Sequence, residues 1–439
     1  MRVIVQLRST PRLRRAATEA AMAPFPAQPR LPLLRLDRSY PAVPVPAMLG
    51  RGEGAAMGLD QPAVFSHAPE NATYLVRGEM DPKDHAELLA HDDVVGVFAD
   101  PVVEPSAVIC PPGPVGTAAD VATKLTVTAL AKAGCTGKGV RLAIVDTGVN
   151  LAHLRKQGRT PRISRAESFT PAGVASKPGA HPVDHGTMCA FDAGIAAPEA
   201  TLLDHAVLLS SAGGPTAMSG LLSDAVLSYS ALLQLQRRVP LTRRRPLVVS
   251  NSWGMFSPKW DFPVGHPGNY SDNPNHPFNV IVASLEAEGA DIVFAAGNCG
   301  RECPDGRCQF GASRPICGAN SHPKVLTVAG VDVHERRLGY SSQGPGRLVA
   351  QKPDVCGYTH FTGSGVYPED GGTSAACPVV AGVVAAVRSL HPVTTVAPAQ
   401  LRTLIEKSAT DLGGFGFDTD FGWGVVNVPA LLEALAKVP

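Results

Sequence analysis

From residue 117 onwards, mostly apolar strand-like runs alternate with stretches of helical period, and this alternation restricts the fold more than any other feature. The strand-like runs are Val140–Val145, Leu202–Leu208, Leu247–Ser250, Ile292–Ala296 and Val325–Ala329. The helical stretches are Ala118–Ala133, His185–Ala196, Met218–Arg237, Phe278–Glu288, Ser374–Leu390 and Pro398–Ser408. Strands buried on both faces read as apolar runs rather than as alternating ones. The pattern therefore predicts an α/β domain built on a parallel sheet with helices on both faces. Such a sheet presents its chemistry at the carboxyl ends of its strands.

Composition narrows the function. With 44% hydrophobic and 18% charged residues, the chain can bury a sizeable core. A net charge of +1 excludes a globally basic nucleic-acid binder. Aromatic residues, at 5%, are too few for a platform that stacks single-stranded bases. No apolar run approaches the roughly 18 residues of a membrane helix. Arg8, Arg12, Arg14 and Arg15 interrupt any apolar signal segment near residue 1. The expectation is a protein without a membrane span, either cytoplasmic or exported by a non-classical route. Nine cysteines leave at least one without an intrachain partner.

The first hundred residues have a different character. Residues 1–50 carry a net charge of +6 and residues 74–105 a net charge of −6, so the two segments could pair or could form two solvated faces. Strand patterns occur at Met1–Arg8, Tyr74–Arg77 and Val94–Val103. A helix is expected at Pro82–Ala90, with Asp81 as N-cap and proline in the first helical position. Pro-rich residues 23–47 are expected to be irregular. The predicted organisation is a small α+β domain over 1–105, a linker over 106–116 and an α/β domain over 117–439.

Three short motifs stand at element ends. Asp146-Thr147-Gly148 follows the run Val140–Val145, His185-Gly186-Thr187 opens a helix, and Gly372-Thr373-Ser374 opens the most apolar helix. Each alone is an ordinary turn or cap. Together they supply a hydroxyl nucleophile, a base for its proton and a carboxylate to hold the imidazole tautomer. Their chain order is Asp, His, Ser. A fourth group, Asn298, ends the run from Ile292, where its amide could meet a developing oxyanion. The backbone N–H of Ser374, at a helix N-terminus, would be the second donor.

These motifs, with Asn251-Ser252-Trp253-Gly254 and Ala296-Gly297-Asn298, resemble those of the subtilisin-like serine proteases, the subtilases, over roughly residues 117–430. The resemblance implies a subtilisin-like parallel β-sheet and a serine endopeptidase acting on polypeptides. It implies Asp146, His185 and Ser374 as the triad and Asn298 as the oxyanion donor. Ser252, Trp253, Gly254, Ala296 and Gly297 would be the backbone edges that hold an extended peptide. No cofactor is needed for this chemistry. Residues 1–105 resemble a subtilase propeptide, most clearly over Tyr74–Val103. That implies an intramolecular inhibitor whose tail lies in the site, with cleavage between Glu104 and Gly116. Two alternatives stay open: a transpeptidase or macrocyclase of the same fold, and a catalytically silent binding protein that retains its propeptide.

Other features are less decisive. Cys299, Cys303, Cys308 and Cys317 crowd behind Asn298 and could make two disulfides or bind zinc, with disulfides expected. Asp261, Asp272 and Asn273 could ligate structural calcium, but they have no fixed ligand spacing and a long surface loop explains them better. Cys189 lies one helical turn from His185 and faces the same way, either as a small buried hydrophobe or as a thiol influencing catalysis. Arg237, Arg238, Arg243, Arg244 and Arg245 fit a helix end better than a nucleic-acid site.

Overall fold

A computed structural model describes residues 1–19, 31, 33–49, 63–105, 110, 112–210, 218–310 and 314–438. The front unit contains β1 (Arg2–Leu7), α1 (Pro11–Glu19), β2 (Arg35–Leu36), β3 (Val43–Val45), β4 (Ala47–Leu49), β5 (Val64–Ser66), β6 (Thr73–Glu79), α2 (His85–Leu89) and β7 (Val94–Ala99). Its antiparallel sheet runs β2-β6-β1-β7, with β3 also paired to β6. The period of two in β1 sorts its side chains. Val3, Val5 and Leu7 pack with Leu13 of α1 and Leu88 of α2. Ile4 faces the other way and joins Leu75, Val43 and Val45 in a second core shared with the α/β unit.

Of the Pro-rich stretch 23–47, residues 23–30 and 32 lie outside the described residues, and the described part is less irregular than expected, because β2 and β3 fall inside it. Pro44 pairs with Tyr74 in β3, an edge position where a missing N–H is tolerated. The expected Val94–Val103 strand is split at Asp100-Pro101 into β7 and β8 (Val102–Pro105). The opposite charges of the two front segments meet at Glu79, which pairs with Arg2 and Arg35. The expected linker lies partly outside the described residues.

The second unit contains α3 (Ala118–Lys124), α4 (Val127–Lys132), β9 (Arg141–Val145), α5 (Leu151–Lys156), β10 (Arg162–Ile163), α6 (His185–Ala193), β11 (Thr201–His205) and β12 (Gly220–Leu221). It continues with α7 (Leu222–Arg237), β13 (Leu247–Asn251), β14 (Trp253–Gly254), α8 (Pro277–Ala287), β15 (Ala290–Ala295), β16 (Leu326–Val331) and β17 (Val355–Tyr358). It closes with α9 (Gly372–Val387), α10 (Pro398–Ser408) and α11 (Val428–Leu435). The main sheet is parallel, in the order β10-β11-β9-β13-β15-β16-β17. Leu142, Ile144, Val248 and Val293 face a core with α6 and α9, whereas Ala143, Val145, Val249 and Phe294 face α7 and α8. The single helix expected over Ala118–Ala133 is two, because Thr126 adopts a left-handed φ of 53° between them.

The front sheet sits on α7 and α8. Arg77 of β6 crosses this junction to Asp224 of α7 at 3.0 Å and also holds Asp37 at 2.7 Å. Ala99 N–H donates to Gly268 O at 2.9 Å, and Phe262 enters the front unit's core. The Met255–Pro277 loop is therefore a contact surface for the front unit. Asp261 holds that loop together: its two oxygens accept from Phe262, Tyr270 and Ser271 N–H groups and from the Ser271 hydroxyl. Asp272 Oδ2 accepts from Gly265 N–H at 3.3 Å, and Asn273 Oδ1 accepts from Asn275 N–H at 2.9 Å. Each of the three calcium candidates thus serves the loop's own backbone. Among the described residues, no helix is long and apolar enough to cross a membrane.

Candidate active site

Asp146 stands one residue beyond β9, and its N–H is held by His205 O of the neighbouring β11 at 2.9 Å. His185 is the first residue of α6, capped by Asp184. Gly186 lets that helix start approach the Asp146 turn, because a Cβ there would lie 2.6 Å from Gly148 O. The outcome is a hydrogen bond of 2.8 Å from His185 Nδ1 to Asp146 Oδ1. With the proton on Nδ1, Nε2 is the bare, basic nitrogen of the ring. It is buried and has no hydrogen-bond partner among the described residues.

Ser374 lies in the first turn of α9, which packs on α6. Gly382 permits that close approach, since a Cβ would lie 2.3 Å from Ala193 O. Four residues after Ser374 comes Pro378, which has no N–H to give to the Ser374 carbonyl. That carbonyl instead accepts from Ser252 Oγ at 2.9 Å, with the Cys189 thiol at 3.6 Å. The Ser374 hydroxyl donates to Ser252 O at 3.3 Å rather than to His185.

Asn298 is fully buried behind β15. Thr373 N–H and Thr373 Oγ–H both donate to its Oδ1 at 2.9 Å. A backbone N–H can only donate, so the amide oxygen is fixed inward and the NH2 group is turned the other way. Cys189 Sγ lies 3.6 Å from Asp146 Oδ2 and 3.7 Å from His185 Nδ1. Burial, reinforced by Asp146, pushes its thiol pKa well above the ordinary value, so it is a neutral packing group. Asp146, His185 and Cys189 are the one cluster of metal-ligand type among the described residues. The pairing of His185 with Asp146 already accounts for it.

A three-stranded antiparallel sheet, in the order β12-β8-β14, lies beside Ser252. Pro105 pairs with Trp253 and Glu104 with Gly254 on one side, and Val103 pairs with Gly220 and Val102 with Leu221 on the other. The expected edge Ser252-Trp253-Gly254 thus contacts a strand. Ala296 and Gly297 turn their N–H groups inward, to Val328 O at 2.8 Å and Thr373 Oγ1 at 3.0 Å. The second paired edge, Gly220–Leu221, escaped the sequence reading because a two-residue strand before a helix carries no motif.

The cysteine loop differs from the expectation. Cys299 pairs with Cys308, but Cys303 pairs with Cys110 and Cys317 is a free, buried thiol. The four cysteines therefore form neither two bridges among themselves nor a zinc set, since three sulfurs are consumed in disulfides and the fourth is buried apart. The arginine cluster serves the fold: Arg244 binds Glu288 at 2.7 Å, and Arg245 donates to Gly139 O and Thr201 Oγ1.

The sequence profile described as the subtilase family matches residues 137–424, which span every element that carries these groups. The chain belongs to the subtilase family. It is 28% identical to subtilisin DY of Bacillus licheniformis over 306 residues, covering 68% of this chain and 93% of that protein. It is 26% identical to subtilisin E of Bacillus subtilis over 309 residues, or 70% and 68% of the two chains. Fervidolysin of Fervidobacterium pennivorans is 27% identical over 326 residues, 68% of this chain and 41% of that protein. This subtilase is a serine-type endopeptidase, so its substrates are polypeptides, and subtilase catalysis requires no cofactor.

Proposed function

We propose that this subtilase cleaves peptide bonds through an acyl-enzyme on Ser374, and that residues 1–105 act as its intramolecular inhibitor. The observation that carries the reading is the 2.8 Å bond from His185 Nδ1 to Asp146 Oδ1, at the helix start that packs beside Ser374. That bond leaves Nε2 as the acceptor for the Ser374 proton. The hydroxyl must first turn from Ser252 O towards Nε2. His185 then takes the proton as oxygen attacks the scissile carbonyl, and returns it to the leaving amine. Asp146 holds the ring and stabilises the imidazolium. The Asn298 amide and the Ser374 N–H receive the charge on the carbonyl oxygen. Water repeats the sequence on the ester.

The inhibitor role rests on β8. It leads out of the front unit and lies between β12 and β14 as an added strand, the arrangement in which an extended peptide is held. Cleavage after this strand, within 104–116, would separate the inhibitor from the enzyme. Intact mass before and after a fluorophosphonate tests both parts. One adduct on Ser374, on a chain shortened by about 105–116 residues, is expected. A full-length chain with no adduct would favour a silent protein that retains its front unit.

A further inference from the structure

We infer that Arg307 gives this protease a preference for an acidic residue on the amino side of the bond it cuts. The inference rests on the proposal that β8 lies where substrate lies. Glu104 in β8 is completely buried, and its Oε2 lies 3.1 Å from Arg307 Nη1. A carboxylate excluded from water requires a charged or hydrogen-bonding partner, and here a guanidinium supplies it. Arg307 Nη2 donates at 2.6 Å to the carbonyl of Pro105, the next residue in the strand. One side chain thus reads both the backbone of the seated strand and the charge of one of its side chains. The first contact is available to any peptide and the second only to an acidic one.

The guanidinium is also held by groups of its own unit, independent of the seated strand's side chains. Asp305 accepts from Arg307 Nε at 3.1 Å and from Nη2 at 2.7 Å, and the fork lies 4.5 Å over the Phe256 ring. The loop that bears it is closed by the Cys299–Cys308 bridge, and Asp305 N–H is bonded to Asn298 O at 2.8 Å. Asp305 offsets part of the positive charge, so the selectivity is smaller than a lone arginine would give. Glu104 pairs with Gly254, and the strand runs on through Pro105 at Trp253 towards Ser252, whose carbonyl receives the Ser374 hydroxyl. The acidic residue therefore precedes the cut bond by a few positions. Glutamate fits better than aspartate, because the observed contact uses the full length of the Glu104 side chain.

Two measurements test this. In the first, fluorogenic peptides carry one Glu, or Gln in its place, scanned through the four positions before the bond. Enzyme is counted by fluorophosphonate titration. At one position Glu should raise kcat/KM by about 5–10-fold over Gln, the scale of one partly shared charged hydrogen bond. Arg307→Gln should erase that ratio, and by losing the backbone contact it should lower kcat/KM for every peptide by a similar factor; Arg307→Lys should keep part of the ratio. A ratio near one at every position, or one that persists in Arg307→Gln, would overturn the inference. The second measurement is independent of turnover. In full-length Ser374→Ala protein, Glu104→Gln should speed amide hydrogen exchange of residues 102–104 several-fold, and should add nothing once Arg307→Gln is present. Equal exchange with and without the Glu104 carboxylate would remove the ionic pocket. Absence of any fluorophosphonate adduct would instead remove the role of Ser374, with this second measurement still deciding the pocket.

Discussion

The Ser252 hydroxyl donates at 2.9 Å to the carbonyl of Ser374, the acceptor that Pro378 leaves without its helical partner. A proline four residues after the proposed nucleophile thus ties the start of α9 to the end of β13. Ser252→Ala should leave that buried carbonyl with only a weak thiol donor. The expected cost is about 1–3 kcal/mol of stability, together with slower labelling of Ser374. Pro378→Ala restores an N–H, so the double variant should recover part of both losses. Additive losses in thermal unfolding and labelling rate would show that the two groups do not share one acceptor.

Asn298 is buried and oriented by two donors from Thr373. If its NH2 group meets the developing oxyanion, Asn298→Ala should lower kcat by about 10²–10³-fold with little change in KM. A loss confined to KM would assign the residue to peptide binding instead.

Arg77 is buried at the junction and joins Asp37 of the front unit to Asp224 of α7. Replacing it with alanine leaves Asp224 and the nearby Asp100 without their counter-charge. Removal of one partner from a buried ionic set costs about 3–5 kcal/mol. Arg77→Ala in Ser374→Ala protein should therefore lower the urea midpoint and expose α7 to faster hydrogen exchange. An unchanged midpoint would show that the junction does not depend on this charge.

Asp100 bonds Ser223 N–H and Oγ at 2.8 Å, and burial, opposed by Arg77 and by Ser223, raises its pKa from 3.8 to about 6. Asp224, Asp37 and Tyr40 share this junction. A raised folded-state pKa means that the native protein binds the proton more tightly than the unfolded chain does. The Asp100 contribution is thus complete below about pH 4 and is lost as pH rises through about 6. Over that window it should amount to at most about 3 kcal/mol. Asp100→Asn should flatten this part of the stability profile, read as urea midpoints between pH 4 and pH 7 in Ser374→Ala protein. Parallel profiles would contradict the assignment.

The features legible in the sequence were those with a local signature. Five sheet strands were visible as apolar runs, and α10 was expected at Pro398–Ser408, as found. The Asp146, His185 and Asn298 motifs stand at element ends as expected. The features that escaped depend on distant partners. β17, a four-residue strand, is defined by its pairing with β16. β3 contains a proline and becomes a strand only because β6 offers it an edge. The pairing of Cys303 with Cys110 spans 193 residues and cannot be read from spacing within the crowded loop. Arg307 was invisible as a binding residue because its partner, Glu104, lies in another unit of the fold.

The bridge between Cys110 and Cys303 makes the position of the first cut matter beyond chemistry. If the chain opens before Cys110, the inhibitor becomes a separate molecule that dilution can carry away. If it opens after Cys110, the two pieces remain one covalent object. The severed strand then stays at a high local concentration over the cleft, whatever the bulk volume. In that case proteolysis alone would not liberate the enzyme, and electron transfer to sulfur would be the second key.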